Sequence, residues 1–433
     1  MPNEPYAYAW YLTEIHSSDY IDDNSNGITD DGDKGNWIRL EYDDPEQLQN
    51  VTFRFPTFGQ ELYYISSSYY YDPSFTYRSQ ESITSFSYLK NITTPLYVAE
   101  FVTADDREDA HSTNWTTDVP IVHPLRLDYI TLRERDSSEI LKVVDFGYAS
   151  GDERLAGKKL TLKNVTIYGK SGTSFERGVD PHLPPIEFSY DYNPEYNPYA
   201  YDYWGYYNGA TSNNNCVSNY DSPDNYEPNA SAVAAWSLTN ISWESGGRTD
   251  YIYESNNYSF LQNVSVNNNY GGGVRLKAAI RDNGLGNQSI YSYAYAGGVV
   301  YYNPINHTFF NYISGAIDVG PWWSVDYQNV TEILPGFGSI EREYTTYYDY
   351  PYEGNYTDYK IGLIKSVYYR DEERNVAKIV NNTWNFGEKE GFEGSSSFVS
   401  GVVNLTSVSV QQDGLTTTMN YVYNDKNQIS QIT

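Results

Sequence analysis

Residues 127–148 read LDYITLRERDSSEILKVVDFGY. Two runs rich in β-branched and aromatic residues, 127–132 and 139–148, flank a wholly polar stretch. Runs of that length with that content are strands, because a helix needs a longer segment with apolar residues every three or four positions. The stretch therefore reads strand, turn, strand. The same punctuation recurs at Trp37–Tyr42 (WIRLEY), 51–55 (VTFRF), 160–168 and 274–280, with Gly, Asn, Asp or Pro between the runs. Nothing of comparable length has helical spacing; 105–111 and 231–237 are expected to hold at most a turn or two of helix.

Composition points the same way. The chain has 433 residues, enough for two or three packing units, and 48 of them are Tyr, a residue that fits half-buried sheet surfaces. The fold class expected is all-β: an extended antiparallel sheet or sandwich-like architecture with long, ordered Tyr-rich loops. Those loops are 63–71, 190–207 (YDYNPEYNPYAYDYWGYY) and 344–359 (YTTYYDYPYEGNYTDY), where rings are expected to stack and hydroxyls to bond to backbone. Residues 208–228 are expected to be the most flexible connection.

Charge narrows the partners. Fifty-seven acidic against 28 basic residues give a net charge of −29. Nucleic acid and anionic membrane surfaces are repelled by such a chain, and cations are attracted. No apolar run approaches the roughly 20 residues that span a bilayer as a helix, and MPNEPYAYAW has no basic segment followed by an apolar one. Cys216 is the only cysteine, so no intrachain disulfide forms, and its polar surroundings, SNNNCVSN, hold no cation to activate the thiol.

Fourteen Asn-x-Ser/Thr triplets occur, at Asn50, Asn91, Asn114, Asn164, Asn229, Asn240, Asn257, Asn263, Asn287, Asn306, Asn329, Asn355, Asn381 and Asn404. Chance pairing of these abundant residues yields roughly six, and the excess is expected to reflect N-linked glycosylation of an exported chain, the alternative being that a chain rich in Asn, Ser and Thr yields such triplets idly.

Several segments resemble the strand-turn-strand units of YD-repeat proteins, the group that includes Rhs proteins and the shell-forming components of Tc toxins. LDYITLRERDSSEILKVVDFGY is followed by KLTLKNVTIYGKSG and, after a polar insert, by LPPIEFSYDY at 183–192. GLIKSVYYRDEERNVAKIVNNTWNF and MNYVYNDKNQISQIT resemble degenerate units of the same kind, the last lacking the usual turn glycine at Asp425-Lys426-Asn427. Residues 19–42 and YDYWGYYNG at 201–209 are similar to stretches of very large bacterial surface proteins that carry such repeats. The resemblance implies an extended β architecture on an exported protein and brings no catalytic residue with it. Three regions are expected: 1–190, a β region with an acidic calcium-loop-like segment; 191–288, a Tyr/Asn-rich loop and β region; and 289–433, a YD-like β region.

The acidic segment is DDNSNGITDDGD, 22–33. With Asp22 as the first position, oxygen ligands fall at Asn24, Asn26, the carbonyl of Ile28, Asp30 and Asp33, with Gly27 at the sharp turn. That register fits a calcium loop of the weak extracellular kind, with Ile28 expected to pack inward as an anchor between Tyr20 and Trp37. The competing reading is an unliganded acidic turn, since Asn-Gly and Asp-Gly are strong turn signals.

Enzymatic signals are scarce. His16, His111, His123, His182 and His307 are scattered, and neither a nucleophile elbow nor a phosphate-binding loop occurs. A glycosidase carboxylate pair is the residual enzymatic possibility. Trp322-Trp323 and Tyr203-Trp204 are candidate platforms for sugar rings. The preferred reading is a non-enzymatic extracellular structural glycoprotein, heavily glycosylated, calcium-stiffened and self-associating into a cell-surface layer or fibre. The alternatives are a section of a YD-repeat shell or adhesin, and a carbohydrate-binding surface module.

Overall fold

The computed structural model describes residues 11–43, 50–57, 63–65, 68–70, 78–85, 87–107, 112–113, 120–122, 124–155, 159–195, 200, 202, 204–210, 227–300, 325–351, 358–390 and 399–433. The chain divides into two compact units. The first comprises 1–57, 79–195 and 240–247; the second comprises 58–78, 196–239 and 248–433. Residues 283–288, where the second expected region ends, form a hairpin turn closed by the Asn283 amide on the Asn287 carbonyl at 3.1 Å.

The first unit is a meander in which each strand pairs antiparallel with its predecessor. It begins with β1 (Glu14–His16) and β2 (Trp37–Tyr42); an excursion carries β3 (Asn50–Thr57), paired with β6 (Arg78–Ser85). The meander resumes through β7 (Leu89–Thr93), β8 (Tyr97–Ala104), β11 (Arg126–Glu134), β12 (Ile140–Tyr148), β13 (Leu162–Tyr168), β14 (Ile186–Ser189) and β15 (Asn240–Ser242). The short pair β9 (Ser112–Thr113) and β10 (Pro120–Val122) is inserted after β8.

The second unit repeats the plan with longer hairpins. Besides the small pair β4 (Tyr63–Ile65) and β5 (Ser68–Tyr70), its strands run in chain order. They are β16 (Arg248–Leu261), β17 (Val264–Asp282), β18 (Gln288–Val300), β19 (Asp326–Leu334), β20 (Gly338–Tyr344), β21 (Ile364–Arg370), β22 (Val376–Glu390), β23 (Val399–Gln412), β24 (Leu415–Tyr423) and β25 (Ile429–Ile432). Successive strands pair antiparallel throughout. Among the described residues one parallel contact interrupts the pattern, where Phe260 and Leu261 of β16 meet Val299 and Val300 of β18.

The all-β class thus holds, and the two short helix-like stretches do not become helices. Residues 230–236 form consecutive turns, and 105–107 are bend and coil, with 108–111 outside the described residues. The turn at 424–428 shows how a degenerate unit survives without its glycine. Asn427 takes the left-handed conformation itself, with φ +58°, which a short polar side chain tolerates better than most.

A tyrosine latch recurs in both units. Among the described residues, a Tyr hydroxyl in six places donates to the carbonyl of a Leu on, or just ahead of, the preceding strand. In the first unit these are Tyr42 to Leu12 at 3.0 Å, Tyr148 to Leu127 at 2.8 Å and Tyr190 to Leu162 at 3.1 Å. In the second they are Tyr253 to Leu238 at 2.8 Å, Tyr295 to Leu276 at 2.7 Å and Tyr423 to Leu405 at 3.0 Å. Tyr42, Tyr148 and Tyr423 are the closing residues of their strands. A tyrosine so placed brings a large ring and a hydrogen bond to its strand together.

Both cores are small. In the first unit Ile140, Val143 and Tyr168 are buried, with Tyr129 and Phe175 against them. In the second, Trp204, Tyr258, Val300 and Val325 form the cluster, flanked by Leu261, Val266 and Tyr327. Trp204 seats directly on β17 because Gly271 and Gly272 lack side chains there. A Cβ on Gly272 would overlap Trp204, and one on Gly271 would overlap Val325. Trp204 is therefore a core residue and not a platform for sugar; Tyr203, Trp322 and Trp323 lie outside the described residues.

Candidate functional site

The acidic loop is a closed hydrogen-bonded knot. Asp22 Oδ2 accepts from the Gly27 amide at 2.8 Å, and Asp33 Oδ2 accepts from the Tyr20 hydroxyl at 2.8 Å and the Asp30 amide at 2.9 Å. Asp30 Oδ2 receives the side-chain amides of both Asn24 and Asn26 at 2.8 Å. The Gly32 amide, and then those two side chains, hold the Asp30 carboxyl below the usual carboxylate range. The sequence-predicted ligands are thus brought together, with amide nitrogens of Asn24 and Asn26 toward Asp30. A cation at this centre requires both amides turned, to present oxygen. Among the described residues no group of three or more His, Cys, Asp or Glu is arranged to hold a metal ion.

One part of the loop reading is corrected. Ile28 does not pack inward: it is 59% exposed. Its neighbour Thr29, 0% exposed, is the anchor. The Thr29 amide donates to Glu14 at 3.2 Å, its hydroxyl meets His16 at 2.7 Å, and its carbonyl accepts from Arg39 at 2.9 Å. Three polar partners outweigh an isoleucine here because the loop sits on the short β1–β2 ladder, which offers hydrogen bonds and little apolar surface.

The asparagines of the triplets separate by place. Asn263 and Asn287 are exposed in turns, whereas Asn229, though exposed, donates its side-chain amide to the Asn208 carbonyl at 3.0 Å. Asn91, Asn164, Asn257, Asn329, Asn381 and Asn404 are half-buried on strands, several with their amides engaged: Asn91 donates to Glu41 at 3.1 Å, and Asn257 accepts from Arg275 at 2.6 Å. Asn240 is buried, at 7% exposure, so its amide is out of reach of a bulky sugar in the folded chain. Asn50 opens β3, while Asn114, Asn306 and Asn355 lie outside the described residues.

Of the histidines, His16 stacks on Tyr20 at 3.9 Å and His182 meets the edge of Tyr168 at 5.1 Å. His111, His123, His307 and Cys216 lie outside the described residues.

A cavity of about 510 Å³ in the first unit was not foreseen. β11, β12 and β13 lie side by side, with Asp145 opposite Tyr129 on one side and Thr166 on the other. Arg177 reaches in from the loop after β13. Its Nε lies 2.9 and 3.0 Å from the two oxygens of Asp145, and its Nη2 3.1 Å from Asp128. Arg126, at the start of β11, is gripped by Asp106 at 2.7 Å and Asp128 at 2.7 Å, and stacks over the Tyr148 ring at 4.9 Å. Arg126 in turn holds the Asp106 carboxyl below its ordinary range, and burial raises the Tyr148 phenol. Gly147 leaves the floor open for the Asn164 side chain, which occupies the space a Cβ would need. Arg107 and Arg154 complete the charged lining. The one sequence signal was Asp145, a lone acid within the apolar run of β12; its partner arrives from 32 residues away, which no local pattern reveals.

No family model matches the chain, and no curated protein matches it. Among solved structures it is similar to a complex of the Tc-toxin components TcdB2 and TccC3 with Cdc42, at 10% identity over 79% of this chain and 16% of that one, with a TM-score of 0.17. It is similar too to the Photorhabdus luminescens Tc holotoxin pore, at 10% identity, 79% and 15% coverage, and a TM-score of 0.17. The chain spans about a sixth of the length of these structures. A TM-score of 0.17 does not amount to a shared overall fold, and the strand order given above rests on this chain's own ladders.

Proposed function

We propose that this chain is a non-enzymatic wall section of a larger exported β assembly. It is built from latched hairpins added one after another, and it joins its neighbour through an open strand edge. The observation that carries the reading is the hairpin β24–β25. Nearly every side chain on it is exposed, on both faces, and these include Leu415, Met419, Val422, Ile429 and Ile432. Apolar residues on both faces of an outer strand lower the free energy only when something covers them, and a bare edge of N–H and C=O groups pairs readily with another strand. A YD-type shell, in which further strands of the same wall supply that cover, is the form the sequential meander favours. A fibre or surface layer, in which a second copy supplies it, is the second reading, favoured by the same exposed edge.

Support for export comes from the triplet excess and from the exposed turn positions of Asn263 and Asn287. Calcium is the cation proposed for 22–33, on the strength of its oxygen-rich register. No helix among the described residues is long and apolar enough to cross a membrane.

Light scattering across a concentration series tests the assembly reading. The chain is expected to associate as concentration rises, and the double substitution Ile429→Lys, Ile432→Lys, which places charge on the edge, is expected to leave it monomeric with the same circular dichroism. A chain that stays monomeric at every concentration, or a variant that associates as before, refutes it.

A further inference from the structure

We propose that the turn between β17 and β18 is a self-modifying site, at which Asn283 loses its side-chain amide as ammonia and becomes an aspartyl or isoaspartyl residue. The inference is independent of the assembly reading. Asn-Gly occurs three times in the chain, at Asn26-Gly27, Asn208-Gly209 and Asn283-Gly284. In such a pair the backbone nitrogen of the glycine can attack the side-chain carbonyl carbon of the asparagine, because glycine has no Cβ to obstruct the approach. The fold treats the three pairs differently, and Asn283 is where the parts of an acyl transfer come together.

Asn283 and Gly284 are both exposed. Asn283 Oδ1 accepts the Leu285 amide at 2.9 Å and the Asn287 amide at 3.3 Å, donors that stabilise the oxyanion formed on attack. The bond to Leu285, two residues on, also folds the side chain over the intervening Gly284 peptide. The Gly284 nitrogen donates to Asp282 Oδ1 at 2.8 Å, so a carboxylate already rests on the proton that has to leave. The Gly284 amide, then Gln288 at 3.2 Å and Arg248 opposite on β16, hold the Asp282 carboxyl below its ordinary range and therefore ionised at neutral pH. Among the described residues the Asn283 amide nitrogen has no hydrogen bond, and it is free to depart.

In the reaction the Gly284 nitrogen bonds to Asn283 Cγ, its proton passes by way of Asp282 to the departing nitrogen, and the Cγ–Nδ2 bond breaks with release of ammonia. One water then opens the five-membered imide at either carbonyl, giving the aspartyl or the isoaspartyl form. Both forms add a negative charge, and the isoaspartyl form adds a carbon to the main chain of a turn closed by the Asn283 amide on the Asn287 carbonyl. No partner is needed, so the extent of reaction records the age of the molecule.

The other two pairs are restrained. Asn26 has a carboxylate on its glycine, since Asp22 accepts the Gly27 amide at 2.8 Å, but its Oδ1 takes one amide, that of Ile28, and its Nδ2 is held by Asp30 at 2.8 Å. Loss of that charge-assisted bond is expected to make Asn26 about tenfold slower than Asn283. Asn208 is 4% exposed and its amide nitrogen donates to the Glu227 carbonyl at 3.4 Å, which shields it from the water the reaction consumes.

The test is incubation of the full chain at neutral pH and physiological temperature, with peptide mapping by mass spectrometry and chromatographic separation of the isoaspartyl forms. Asn283 is expected to react first, Asn26 about tenfold more slowly and Asn208 not measurably, whereas in the chain unfolded by urea the three react alike. Asp282→Ala is expected to slow Asn283 about tenfold, less than a base poised near neutral pH would cost, and to leave Asn26 unchanged; circular dichroism establishes that the variant is folded. The ranking in the unsubstituted chain decides the matter even if that variant fails to fold. Equal rates at the three sites in the folded chain, Asn26 or Asn208 reacting ahead of Asn283, or an unchanged rate at Asn283 in folded Asp282→Ala overturns the proposal.

Discussion

Replacing Tyr295 by Phe removes one hydroxyl and leaves the ring. The ring's neighbours, Arg275 at 4.6 Å and Tyr327 at 5.0 Å, are untouched, so the change isolates the latch to Leu276 at 2.7 Å. Burial pushes the Tyr295 phenol up to about 12, a sign that this hydroxyl sits where water does not readily replace it. Leaving a buried carbonyl without its partner costs about 1–3 kcal/mol, against roughly 1 kcal/mol for a bond whose groups regain water. A loss near 1–2 kcal/mol is expected, lowering the melting temperature of the second unit by about 2–8 °C at roughly 2–4 °C per kcal/mol. Urea unfolding followed by tryptophan fluorescence measures it, with Tyr291→Phe as the control. The Tyr291 ring lies under Arg281 at 4.3 Å, and its change is expected to stay within about 0.5 kcal/mol. Because the latches lie on separate hairpins, Tyr423→Phe combined with Tyr295→Phe should lose the sum of the two single effects. If Tyr295→Phe is no worse than the control, the hydroxyl is not holding the hairpin and the latch is an incidental contact.

Three further outcomes are expected. Asp202 is 1% exposed, its Oδ1 takes the amides of Trp204 and Tyr206 at 2.9 Å, and its Oδ2 has no partner; burial pushes its carboxyl up to about 6. A carboxyl raised from 3.8 contributes stability that is full below 3.8 and lost as pH rises through about 6, roughly 3 kcal/mol in all. Asp326 is likewise pushed up to about 6 and adds to the same slope. Asp202→Asn should therefore flatten the fall in stability between pH 4 and 8 without abolishing it; an unchanged slope by urea titration at several pH values speaks against the account. Calcium at about ten times its dissociation constant should stabilise the chain by roughly 1.4 kcal/mol. A chelator should reverse this and Asp22→Ala cancel it, whereas identical melting curves with and without calcium favour the unliganded turn. Native material should exceed 49.6 kDa in intact mass by sugar increments, and peptides carrying Asn263 or Asn287 should hold them; a bare polypeptide mass removes glycosylation from the reading.

The strands were legible because each declares itself locally. Residues 127–132 and 139–148 fall within β11 and β12 or one residue outside, since a β-rich run bounded by polar turn residues has few other solutions. The role of the tyrosines was not legible: a hydroxyl that bonds a carbonyl 15 to 30 residues earlier leaves no trace in periodicity. The acidic residues of 22–33 stand together in the sequence and in the fold, yet the loop's anchor was assigned to the apolar Ile28 because polarity arguments favour burying isoleucine over threonine. The short ladder beneath it reverses that preference by offering Thr29 three polar partners. The charged cavity was hidden for a different reason: Asp106, Arg126, Asp145 and Arg177 come from four segments, and only the strand order brings them together.

Each latching hydroxyl ties its strand to the one before, and its hydrogen bond is complete within that step. A hairpin can therefore be gained or lost at a seam without retuning a shared centre, much as courses of masonry are added to a wall. Evolution acting on such a chain has length as a free variable, and two descendants of one ancestor can differ by whole hairpins while every surviving one keeps its own clasp.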